Sequence, residues 1–297
     1  MTPSPRFLVH VHVYYKHIWP EIKKALRVME GRNWDLWVTM VQEHEDIRKD
    51  VMQMKEDAHV QLVENRGYDV APFLHVLDQV NTSDYDFCVK LHTKQTILAE
   101  GQLFNYRSLG TPYKRNGAAW RESLLTFTRP RHFKTCLRAF DRNKTLGMVG
   151  DHRFVLRKGL GGECVATDGA KELLQKVGLP NDSVEWISGT MFICRAKLLE
   201  PLKKLGLKAQ DFPIPDKKHT ISLPHMVETM IGGAVVAQGY RIDDVYTPRL
   251  LRMARFIGAL TMVISLERLR LVRIKHTKNN HLLVKICKIP VYIKKLS

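Results

Sequence analysis

Residues 59–94 read HVQLVENRGYDVAPFLHVLDQVNTSDYDFCVKLHTK. HVQLVE (59–64) has the alternation of a β-strand and stops at the turn-rich segment NRGYD (65–69). A helix is predicted from about residue 71 to residue 80, and YDFCVKL (85–91) forms the next strand. A strand, a helix and a strand joined by short connections make a crossover unit, and such units build parallel sheets. Ligands in these sheets bind beyond the carboxyl ends of the strands. Residues 65–69 and His92 to Lys94 both fall at such ends.

The same alternation extends in both directions. Towards the N-terminus, a strand is expected over 7–15. A helix over 18–29 has apolar residues at Ile18, Ile22, Ala25, Leu26 and Met29, and a strand at 35–40 and a polar helix over 43–54 follow. Towards the C-terminus, helices are expected over 120–127, 130–141, 168–177, 196–205 and 223–238. Strands are expected at 147–150, over ISGTMFICR (187–195) and at 240–242. The predicted fold class is α/β, a mostly parallel sheet flanked by helices. The glycine-rich GLGG at 159–162 lacks the lysine of a P-loop and is given no phosphate role.

The 297 residues carry 47 Lys or Arg against 30 Asp or Glu, a formal charge of +17. From residue 249 to the end there are twelve Lys or Arg and a single acid, Glu267, so +11 of that charge sits in the last segment. Two regions are therefore expected, 1–248 as the main domain and 249–297 as a basic amphipathic segment. FIGALTMVISL (256–266) is eleven residues long, against the roughly 20 that a membrane-spanning helix needs. Arg252, Arg255, Arg268, Arg270 and Arg273 flank it, a pattern that fits either an anionic membrane surface or a helix packed on the domain. Residues 281–293 alternate apolar and basic side chains and read as a strand or a second amphipathic piece. The main domain holds no nucleic-acid motif, so nucleic acid is not an expected partner.

The five cysteines include no C-x-x-C pair, and Cys88 and Cys194 lie in apolar runs, which predicts buried free thiols. That cysteine usage and the absence of a signal-peptide pattern at the N-terminus give an expected cytoplasmic location, peripheral on the inner face of the membrane if the basic segment docks there.

Six blocks in order carry a resemblance: VHVYYKHIWPEI (11–22), ENRGYDVAPFL (64–74), YDFCVKLHTK (85–94), WRESLL (120–125), GMVG (147–150) and ISGTMFICR (187–195) with its following LLEPL. Together they resemble the rhamnan synthesis protein F family of bacterial polysaccharide glycosyltransferases. The resemblance implies a GT-A-like fold that transfers a hexose, rhamnose or a related sugar. The donor would be a nucleotide diphosphate sugar, and the product a growing O-antigen, capsule or rhamnan. A polyprenyl-diphosphate-linked glycan is the acceptor that a membrane-bound tail would favour.

The blocks are also similar to inverting GT-A transferases in general, and that similarity assigns roles. Asn65, Arg66, Gly67 and Asp69 fill the place of the Asn-x-Gly donor turn. Ser188, Gly189 and Thr190, with Arg195 after them, fill the small-residue acceptor segment. Glu228, eleven residues before Gly239-Tyr240-Arg241, fills the place of the catalytic base. Where those enzymes carry a metal-binding Asp-x-Asp, this chain has Lys90, His92, Thr93 and Lys94. A hard cation such as Mg²⁺ or Mn²⁺ needs carboxylate oxygens. Fixed cations and N–H donors can instead stabilise a leaving diphosphate, so no metal cofactor is expected. Two further departures are Lys16-His17 after the first aromatic pair and Lys218-His219-Thr220 before the catalytic helix. The missing Asp-x-Asp supports one rival, a non-catalytic membrane-docked scaffold of the same fold, and the basic tail supports a second, ranked below it, a nucleic-acid-binding protein.

Overall fold

In the computed structural model, residues 4–95, 117–118, 120–151, 154–156, 166–182, 184–214 and 222–246 are described in full. The backbone alone is described at 106–108, 111–113, 119, 165, 272–276, 281–286 and 289–295. The chain divides into two compact units. One comprises Met1–Ser108 and Tyr113–Thr247, the other Leu109–Pro112 and Pro248–Ser297.

The first half of the large unit alternates strictly. Strand β1 (Arg6–Val13) leads to helix α1 (Trp19–Leu26), β2 (Asn33–Met40), α2 (Glu45–Met54), β3 (His59–Leu62), α3 (Val70–Gln79) and β4 (Phe87–His92). Proline opens α1 at Pro20 and α3 at Pro72, where a missing N–H costs nothing. Glu45 and Asp46 in the first turn of α2 complement its dipole. After two three-residue strands, β5 (Tyr106–Ser108) and β6 (Thr111–Tyr113), come α4 (Gly117–Leu124), α5 (Pro130–Arg142), β7 (Leu146–Val149) and β8 (Val155–Leu156). The unit closes with α6 (Val165–Lys176), β9 (Trp186–Ile187), β10 (Phe192–Arg195), α7 (Glu200–Lys203), α8 (Leu223–Ala237) and β11 (Arg241–Asp243).

Seven of these strands form one sheet in the order β11-β7-β10-β4-β1-β2-β3. All run parallel except β10, which is antiparallel to both β4 and β7. This is the expected mostly parallel sheet. β1 and β4 are buried along almost their whole length, as strands covered on both faces must be. Helix α3 covers one face, where Phe73 stacks on His10 of β1. Helix α5 covers the other, where Phe133 meets Phe7 and Phe140 meets Phe87. Cys88 and Cys194, cross-strand partners in β4 and β10, are buried free thiols as expected.

Two elements differ from the sequence reading, and in a third one of two alternatives is met. The strand expected over 187–195 is broken: β9 ends at Ile187, a turn takes Ser188 to Thr190, and β10 begins at Phe192. Gly189 (φ 82°) and Thr190 (φ 46°) occupy the left-handed region, which no strand can pass through. The helix expected over 196–205 is a 3-10 turn followed by the one-turn α7, because Pro201 lacks the N–H that a continuous helix would need. The strand alternative holds in part for the C-terminal segment. β12 (Val272–His276), β13 (His281–Ile286) and β14 (Ile289–Lys295) form an antiparallel sheet of their own. The apolar run 256–266 and the turn 159–162 lie outside the described residues, and no described helix is long and apolar enough to cross a membrane.

Candidate functional site

Because β10 runs against its neighbours, its N-terminal end meets the carboxyl end of β4. The register pairs Phe192 with Lys90, so the turn at Ser188–Thr190 lies just above the strand that ends in His92. Two more segments arrive at the same rim. One is the turn before α3, which contains Asp69, and the other is the first half of α8, which contains Glu228.

Polar contacts join these four segments. The Lys90 ammonium donates to Asp69 Oδ2 at 2.5 Å and to Thr190 Oγ1 at 2.8 Å. The Thr190 hydroxyl in turn donates to Asp69 Oδ2. Lys90 is fully buried and Asp69 is 4% exposed. Burial alone would push the Asp69 carboxyl up, but the Lys90 ammonium beside it holds it well below the ordinary carboxylate range. The pair satisfies the rule that buried charges occur with partners and full hydrogen bonding.

His92 is equally buried. Its Nδ1 accepts from the Lys94 backbone N–H at 3.1 Å and its Nε2 lies 2.6 Å from the Gly189 carbonyl oxygen. Those partners fix one tautomer, with the proton on Nε2. Burial pushes the imidazole down to about 4, so it is neutral at physiological pH. On the other side of the same turn, Gly189 N–H donates to Glu228 Oε1 at 2.8 Å. The strained pair Gly189–Thr190 is therefore gripped by His92, Lys90, Asp69 and Glu228 together. Strain of this kind persists only where surrounding contacts over-determine it, and it concentrates at functional sites.

The network continues under α3. In register, His12 of β1 sits between Thr39 of β2 and His92 of β4, and His10 sits between Trp37 and Lys90. The Thr39 hydroxyl serves both histidines, at 2.9 Å from His10 Nε2 and 3.0 Å from His12 Nδ1. Desolvation pushes His12 down to about 3 and His10 well below its ordinary value. These two histidines were missed in the sequence, where HVHV reads as an ordinary strand. Their signal was the polar residue at alternate positions of an otherwise apolar run.

The remaining candidates divide clearly. Thr93 is buried, and its hydroxyl accepts from the backbone N–H groups of Tyr14 and Tyr15, tying the end of β4 to the end of β1. Lys94 is half-buried, with its ammonium 5.4 Å from the centre of the Tyr68 ring. Tyr68, another non-glycine residue at positive φ (53°), leans against His225 of α8, one turn from Glu228. Asn65 is exposed. Gly67 (φ 64°) is required by its turn, since a Cβ there would lie 2.6 Å from that of Ala71.

Four further expected ligand residues, like Asp69, have their side chains engaged by protein groups. Lys90 and His92 face inward, and their polar atoms are engaged by protein groups. Arg66 bonds the Phe212 carbonyl and Glu64. Arg195 lies at the far end of β10, where its guanidinium bonds the carbonyls of Phe140, Asn143 and Leu146. It is a clamp on the end of α5, placed there because four residues of extended strand separate it from the turn. Among the described residues, no group of three or more His, Cys, Asp or Glu could hold a metal ion.

Comparison with known proteins places this geometry in context. Two curated relatives from Xanthomonas campestris pv. campestris, of strains B100 and ATCC 33913, are each called uncharacterized protein WxcX. Both are 26% identical over 247 residues, which is 82% of this chain. The chain spans 33% of their length. Among solved structures, residues 1–349 of TarS from S. aureus in complex with UDP-GlcNAc align over 76% of this chain and 53% of that one. The identity is 16% and the TM-score 0.36. The family model of rhamnan synthesis protein F matches residues 1–240, and the chain belongs to that family.

Proposed function

We propose that the chain is a GT-A-like glycosyltransferase of cell-surface polysaccharide synthesis. It moves a hexose, rhamnose or a related sugar, from a nucleotide diphosphate sugar to a growing glycan, with inversion and without a metal ion. The observation that carries the reading is that the Ser188–Thr190 turn, held by Lys90 and Asp69 through Thr190, presents Gly189 N–H to Glu228 at the carboxyl rim of the sheet. The family to which the chain belongs supports the substrate class.

In this reading Glu228 takes the proton of the acceptor hydroxyl as that oxygen bonds to the anomeric carbon. The nucleotide diphosphate leaves with the electrons of its bond to the sugar. Lys94 is half-buried beside Tyr68, and it stabilises the charge on the leaving group. Lys90, His92 and Asp69 hold the turn that orients Glu228 and do not touch the donor themselves. Asn65 and Gly67 line the donor side of the rim, and Ser188 and Gly189 leave room for the acceptor. Metal independence rests on the strand end that carries Lys90, His92, Thr93 and Lys94 where a carboxylate pair would be needed. The membrane-linked acceptor and the inner-face location belong to the same proposal and rest on the basic C-terminal segment.

A thermal-shift screen tests this with dTDP-rhamnose, UDP-galactose, UDP-glucose and GDP-mannose, each in EDTA and with Mg²⁺ or Mn²⁺. Stabilisation by one nucleotide class in EDTA is expected. Stabilisation only with metal would overturn the metal-free site. The Glu228→Gln variant should bind the same donor with turnover reduced by about a thousandfold or more. No shift with any donor, and no effect of that variant beyond stability, would leave the scaffold reading in its place.

A further inference from the structure

Helix α5 carries the most polarised surface in the described part of the large unit. Phe133, Cys136 and Phe140 face the sheet and are buried. The opposite face presents Arg131, Lys134, Arg138 and Arg142 at a spacing of three to four residues, which puts them along one line. All four are exposed, and among the described residues no ion pair engages any of them. Lys144 follows directly, also exposed, and Asp141 at the margin is the sole acid of the helix. Arg32 lies beside the helix with its guanidinium 5.1 Å from the centre of the Phe133 ring.

We propose that the outer face of α5 docks on an anionic phospholipid bilayer. The helix is 13 residues long, about 20 Å, and its four cations lie along one line, so a flat surface meets them together. A row of four like charges with a single acid at its margin is unfavourable in water and is relieved by a surface of opposite sign. The bilayer is favoured over nucleic acid because no exposed aromatic side chain lies among these cations to stack on a base.

The docking face is separate from the rim that holds Glu228, so the vesicle test bears on the membrane location and leaves the sugar-transfer reading, tested by donor binding and Glu228→Gln, to stand or fall by itself. Full-length protein is co-sedimented with vesicles of phosphatidylcholine alone and of phosphatidylcholine with phosphatidylglycerol. A basic side chain at an anionic surface contributes about a fivefold factor in binding. Wild type should bind the anionic vesicles only, and binding should weaken with salt. The variant R131E/R138E/R142E should bind them at least about tenfold more weakly with an unchanged melting temperature. If that variant melts lower, R131Q/R138Q/R142Q is compared in its place. Equal binding by wild type and folded variant overturns the proposal. So does failure of the wild type to bind either vesicle while it binds an oligonucleotide.

Discussion

Lys90 shows how far a charged side chain can be taken from water when three acceptors meet it. Its partners Asp69 and Thr190 come from segments distant in sequence, and the same Thr190 lies in a backbone conformation that a threonine rarely adopts. Lys90→Met leaves Asp69 buried beside a thioether chain. That change is expected to cost about 3–5 kcal/mol in urea denaturation. Lys90→Met combined with Asp69→Leu removes both charges and should recover much of the loss. A double variant less stable than the single one would show that the carboxylate tolerates burial without the ammonium. Sequence reading picked out Lys90, Asp69, Gly189 and Glu228 as one site. It assigned Lys90 to the ligand because K-x-H-x-K stands at the strand end where related transferases carry a metal-binding Asp-x-Asp. Burial from three other segments decides the matter, and no local pattern encodes it.

At the level of elements, the alternating half of the chain from β1 to β4 was legible, because each strand is an apolar run and each helix opens with a proline or an acidic first turn. The part around β9 and β10 was not. ISGTMFICR has the composition of a strand, and a threonine at φ 46° leaves no compositional trace. Helix α8 offers a test of which local force wins. Its Gly232 lies against β9, and a Cβ there would sit 2.3 Å from the Glu185 carbonyl oxygen and 2.4 Å from the Trp186 Cα. Intrinsic helix propensity favours alanine there by about 1 kcal/mol. The clash is with backbone, which cannot rotate away, so Gly232→Ala should destabilise by about 1–3 kcal/mol despite the better propensity. A higher melting temperature for that variant would mean that α8 can slide off the strand.

Across the whole molecule, the buried polar stripe makes stability depend on pH. His10, His12 and His92 are neutral in the folded state because burial holds them below the ordinary 6.5, at about 3 for His12 and about 4 for His92. In the unfolded chain they take up protons near pH 6.5, so their contribution is complete above that value. It falls as the pH drops towards about 4. With three such groups the slope near pH 5 is about 4 kcal/mol per pH unit, and His12→Asn should remove about a third of it. Urea midpoints compared at about pH 7 and about pH 5 read this directly, and a flat profile would mean that the histidines reach solvent. Asp69 acts in a lower window, since its depressed value is lost only as the pH falls below the ordinary carboxylate range. The contact between Asp69 and Thr190 also spans 121 positions, and that between Lys90 and Thr190 spans 100. On the ribosome, at about 5–20 residues per second, Lys90 waits roughly 5–20 s for Thr190 to be made. Throughout that interval β4 has an unpaired apolar edge where β10 will later dock, and such an edge is a template for aggregation. The newborn chain is therefore most in need of a chaperone after its fourth strand is synthesised, before the rim around Glu228 exists.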